Sequence, residues 1–246
     1  MNPPDPEMAS NLSETNKPPR LALAYLFLWL SLLSISLGIW FTLLSAFGVN
    51  WEEGIGWRSI GFYATNAIVL GTGLTGIVLL VLWKWQHVPY EWQPGAVILV
   101  YLGIFELIRV CAVTIDLAIP DSGLIYDETK HNIYKIMAIS QNGFAVCLFV
   151  GWMVRNKLSI GWRFGLTALA LQNLFDVCQV VFPRMIPAAI LGPISTSVLI
   201  HNGSLFIVLV VALGDLAQGC SRGWLHWIGV AGLLIFSWSW CYSLFF

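Results

Sequence analysis

The chain has 246 residues, 58% of them hydrophobic and 10% charged, with a net charge of -1 and a mean hydropathy of +0.77. A soluble domain carries about a quarter charged residues, so a water-soluble globule is excluded. The charge balance also excludes the basic field that a nucleic-acid partner requires, and the length leaves no room for a sizeable soluble domain beside the apolar part.

Residues 1–20 (MNPPDPEMASNLSETNKPPR) are polar and Pro-rich and predict a disordered tail. The apolar run that follows is too long for the h-region of a cleaved leader, so the first span is expected to act as its own insertion signal. Apolar stretches then predict spans over 21–47, 59–83, 95–119, 132–154, 160–182, 186–213 and 224–246. Each offers about 20 or more mostly apolar residues, enough to cross the hydrocarbon. Lipid obliges the backbone to satisfy its own hydrogen bonds, and the stretches lack the ten-residue alternation of a barrel. The expected fold is all-α: a polytopic seven-transmembrane-helix bundle, one domain over 21–246.

The Lys/Arg distribution orients it. Lys17, Arg20, Lys84, Arg155, Lys157, Arg163 and Arg222 fall on the side of the N-terminus. Arg58, Lys130, Lys135 and Arg184 fall on the other. The N-terminus is therefore expected in the cytoplasm and the C-terminus in the lumen or outside the cell. Tryptophans near the span ends, among them Trp83, Trp152, Trp162 and Trp224, are read as interfacial anchors. This topology is opposite to that of receptor-like seven-helix proteins, and the last span has no lysine for a retinal Schiff base. The cysteines show no CxxC spacing and read as small apolar packing residues. Gly71, Gly73 and Gly76 spell GxGxxG inside a span with no preceding strand, which indicates close helix packing and not a nucleotide site.

Polar groups inside the spans are the functional candidates, because lipid makes them costly. The third span holds Glu106, Arg109 and Asp116; Arg109 and Asp116 lie about 20° apart around the helix, with Glu106 about 60° away. Arg109 requires a partner at that depth: Glu106, Asp116 or Asp176. The fifth span presents Gln172, Asp176 and Gln179 on one face, beside Asn173. In the sixth, His201, Asn202 and Ser204 follow Pro193, which is expected to kink the helix. Gln141 and Asn142 in the fourth span and Asn66 in the second complete the set. The loop from Pro120 to His131 reads as solvated, with a lid as the alternative. The recurrent Asn residues read as bridges between helices. Spans one and seven hold no charge. The polar groups are thus expected to converge from spans two to six on one cavity between mid-membrane and the outer face, with spans one and seven outside.

Acids in an apolar, aromatic-lined cavity suit an enzyme that protonates a lipophilic substrate and so starts cyclisation, isomerisation or epoxide opening. Asp176 or Glu106 would be the acid and His201 its acid/base partner. Arg109, Asp116, Gln172, Asn173, Asn142, Gln141, Asn66 and Asn202 would form the binding surface. No metal pattern appears, and no cofactor is expected. The compact seven-helix layout with a few buried acids resembles the membrane-bound terpene cyclases of fungal meroterpenoid pathways. That family places a Glu in the second span and an Asp in the last; here 59–83 and 224–246 contain no acid, so no family residue is carried over. A transporter or proton-coupled carrier is the second reading, and a non-catalytic membrane subunit the third. The expected partners are the lipid bilayer and a lipophilic small molecule.

Overall fold

A computed structural model describes residues 23–46, 57–87, 92–119, 123–182 and 193–245. The expected tail at 1–20 lies outside them. Every regular element among the described residues is a helix: α1 (Leu23–Ala46), α2 (Trp57–Trp85), α3 (Pro94–Ala118), α4 (Gly123–Arg155), α5 (Ile160–Val181), α6 (Pro193–Ala217) and α7 (Trp224–Phe245). Six of them are long and apolar enough to cross a membrane. In α7 the described apolar stretch is Trp224–Ser237. The surface matches a lipid solvent, with Phe164, Phe206 and Val154 turned outward. Hydroxyls inside the spans donate to their own helix, as Ser36 does to the carbonyl of Leu32 and Thr75 to that of Gly71. This satisfies them without water.

Helices α3, α4, α5, α6 and α7 form a closed ring of neighbours. Helix α2 packs against α3 and α7 from outside the ring, and α1 packs mainly on α2. The ring is filled by Tyr101, Phe149, Trp162, Leu166, Leu233 and Phe236. The peripheral position of α1 is as expected. That of α7 is not: it belongs to the ring and touches α2, α3 and α6. The reason is a small-residue contact. A Cβ on Gly95 would strike the backbone of His226, and one on Gly229 the backbone of Gly95, so α3 and α7 meet backbone to backbone. The GxGxxG segment works the same way. Gly71 faces the backbone of Leu33, Gly73 that of Gly103, and Gly76 the side chain of Leu99; α2 is thereby pressed between α1 and α3.

Other expectations are corrected. Trp83 and Trp162 are fully buried and Trp152 nearly so; they are packing residues of the bundle rather than interfacial anchors, and Trp85 is the exposed indole at the end of α2. Cys111, Cys147 and Cys220 are exposed free thiols, not core packing residues. Pro193 is the first described residue of α6, so the kink expected there lies outside the described residues. Residues 123–131 are helical, not loop. They extend α4, and its register is tied to α3 by Tyr134 Oη donating to Asp116 Oδ2 at 2.8 Å and by Lys130 Nζ at 3.0 Å from Asp116 Oδ1.

Candidate functional site

The polar side chains do share a level. Glu106 lies twelve residues along α3 and Gln172 twelve along α5, each about 18 Å from its helix start at 1.5 Å per residue. The oppositely directed α4 and α6 bring Gln141 and Ser204 to about the same depth. At this level the groups separate into clusters instead of lining one cavity.

One cluster sits between α2 and α3 under α1. Arg109 Nη1 donates to Asn66 Oδ1 at 3.0 Å and to Glu106 Oε1 at 3.4 Å. The guanidinium carbon lies 5.4 Å from the ring centre of Trp40 and 5.1 Å from that of Phe62, so two aromatic faces help to offset its desolvation. Arg109 thus pairs with Glu106 and not with Asp116, which is taken by Lys130 and Tyr134.

A second cluster joins α5 to α6. Gln172 Nε2 lies 2.7 Å from His201 Nδ1, and Gln172 Oε1 accepts from the Ser204 hydroxyl. That hydroxyl also lies 2.9 Å from the carbonyl of His201. One amide therefore holds both the ring and the hydroxyl. Asp176 lies one turn further along α5 and is half-buried. Tyr101 of α3 is buried between the two clusters, near Asp176, Glu106 and Asn173. Gln141 Nε2 donates to the carbonyl of Phe105 at 2.8 Å and locks α4 to α3. Of the expected asparagine bridges, Asn66 joins α2 to α3. The amides of Asn142, Asn173 and Asn202 instead donate to Ala138, Leu169 and Val198 of their own helices, the local option open to any short amide in lipid.

Of the described acids that are buried or half-buried, all but one face a cation. Glu106 faces Arg109, Asp116 faces Lys130 and Asp215 faces Arg222. Asp176 has no hydrogen-bond or ion-pair partner among the described residues.

Sequence reasoning passed over a third cluster at the other end of the ring. Asp215 Oδ2 accepts from Trp162 Nε1 at 2.8 Å and from Arg222 Nε at 2.7 Å. His226 Nδ1 accepts the N–H of Gly95 at 3.1 Å, and the N–H of Gly223 donates to Gln93 Oε1 at 2.7 Å. His226 is fully buried, and its ring meets Trp162 and Trp227 edge to face. This cluster fastens the ends of α3, α5, α6 and α7 together. Asp215 lies beyond the predicted end of the sixth span, and His226 carries no formal charge to draw notice.

A cavity of about 200 Å³ lies elsewhere again, between α1, α2, α3 and α7, walled by residues that include Tyr25, Trp29, Thr72, Gly76, Leu99 and Trp224. No acid or histidine lines it, so it suits an apolar group and not proton transfer. Comparison with protein-family models, curated proteins and solved structures finds no significant match for this chain.

Proposed function

We propose that the protein is a seven-span integral membrane enzyme, with its N-terminus in the cytoplasm, that uses Asp176 to protonate a lipophilic small molecule. The observation that carries this reading is the isolation of Asp176. The other buried acids described above each face a cation, while Asp176 faces none among the described residues. An ionisable group at membrane depth costs about 3 kcal/mol or more, so a carboxyl kept there without a counter-charge calls for a use. Proton donation fits the surroundings. His201, held by Gln172 one turn before Asp176 on α5, would receive or return the proton. Tyr101 and its edge-to-face neighbour Phe105 offer aromatic faces to a developing cation. Cyclisation, isomerisation or epoxide opening of a terpenoid- or polyketide-type substrate is the reaction class this set would serve.

Mass spectrometry of small molecules from cells with and without the gene tests this, with Asp176→Asn as control. The expected result is a metabolite converted to an isomer, or to a product differing by one water, with conversion reduced at least about 100-fold in the folded Asn variant, since general acid catalysis contributes about that much or more. Unchanged metabolites with altered uptake or export would replace the enzyme by a carrier. The orientation has its own test. Cys220 is an exposed thiol between α6 and α7, on the side assigned to the cytoplasm. A membrane-impermeant maleimide should label it only after permeabilisation, with Cys220→Ser as the blank. Labelling in intact cells would reverse the assignment.

A further inference from the structure

The Arg109 cluster holds buried hydrogen-bonding capacity that the protein does not use. Asn66 and Glu106 are fully buried and Trp40 is 2% exposed. Asn66 Nδ2, Trp40 Nε1 and Glu106 Oε2 have no hydrogen-bond partner among the described residues. All three atoms belong to residues in contact with the Arg109 guanidinium. The arrangement follows from Arg109 itself. Its Nη1 takes Asn66 Oδ1 and Glu106 Oε1, which leaves the amide nitrogen of one and the second carboxyl oxygen of the other unengaged. An unmet buried polar atom costs about 1–3 kcal/mol, and three around one arginine in an apolar bundle indicate a group that meets them.

The three atoms define that group. Two are donors and one is an acceptor. A hydroxyl brings one donor and two acceptor lone pairs, the exact complement. A ketone or ether only accepts and leaves Glu106 Oε2 unmet. A carboxylate or phosphate places negative charge against Glu106. Water brings two donors where a single acceptor is unmet. Half-buried apolar side chains flank the cluster, among them Leu37 and Ile39 on α1 and Val110 and Val113 on α3, and the Tyr63 ring lies 5.8 Å from that of Trp40. The side chain of Arg109 is 21% exposed, so the cluster is reachable from outside the bundle. We infer that Asn66, Trp40 and Glu106 form a binding site for a lipophilic alcohol, with the hydroxyl held by these three atoms and the hydrocarbon body laid along α1 and α3. Arg109 is the positioning residue that fixes the orientation of Asn66 and Glu106.

The test uses the purified full-length protein in lipid nanodiscs. The probes are a long-chain primary alcohol bearing a diazirine and an alkyne, and its methyl ether as the matched control. The alcohol should label peptides around Trp40 and Arg109 about fivefold above the ether, the ratio expected for one hydrogen bond of ordinary net strength. Trp40→Phe keeps the ring and removes one of the two donors that meet the probe oxygen; it should lower labelling by the alcohol and by the ether alike. Equal labelling by the two probes, labelling by the alcohol unchanged in Trp40→Phe, or no labelling of these peptides would each overturn the inference. If Trp40→Phe does not fold, the contrast between the two probes on the unaltered protein still decides. Labelling requires no turnover, so its outcome is read separately from the metabolite assay on Asp176.

Discussion

Asp215 shows how this bundle carries a charge next to lipid. Its carboxylate is 8% exposed and is held by an indole from α5 and a guanidinium from the segment after α6. The arrangement depends on Gly219, whose φ of 66° reverses the chain. Its N–H bonds the carbonyl of Leu216 while that of Cys220 bonds Asp215, a glycine termination of the usual left-handed kind. The turn swings Arg222 back over the helix end. Arg222→Ala should lower thermal stability in detergent by about 1–3 kcal/mol, because the carboxylate keeps its burial and loses its cation. Arg222→Lys should recover part of that, a point charge replacing a fork of two N–H groups. A loss below about 0.5 kcal/mol in the Ala variant would mean that water serves the carboxylate equally well. Arg222 was legible as a charge that orients the chain; its pairing was not, since it arises from one backbone angle that sequence spacing does not encode.

Between helices, glycine positions decide who touches whom. In lipid, helices gain little by hiding apolar side chains from one another, so close backbone approach and matched small residues select the partners. Gly73→Ala would push a methyl into the backbone of Gly103, and should cost about 1–3 kcal/mol in unfolding stability as an overpacked contact. Gly38→Ala on α1 meets nothing within 4 Å and should be neutral or slightly stabilising, as expected for alanine in a helix. Similar losses at both positions would show that helix propensity and not contact sets the effect. The packing role of the GxGxxG segment was legible in the sequence. The central place of α7 was not. An apolar helix without charge reads as peripheral when polarity is the guide, whereas its position is set by Gly229 and His226 against Gly95.

Across the whole molecule, depth was readable and direction was not. Counting residues along each apolar run puts Glu106, Gln172 and Ser204 at one level, because helical rise is constant. Which way each side chain turns around its helix depends on neighbours that the run does not identify. The polar belt therefore divides into an Arg109 cluster, a His201 cluster and several amides that bond their own helices. The placement of α7 also bears on biosynthesis. Helices α2 and α3 leave the ribosome well before α7, yet α7 touches both and closes the ring between α3 and α6. Until it inserts, the Gly95 face of α3 is bare to lipid or to an insertion factor, and the N–H that His226 will cap has no acceptor there. Closure of the ring thus waits for the last of these seven helices, so the first six cannot complete it by themselves.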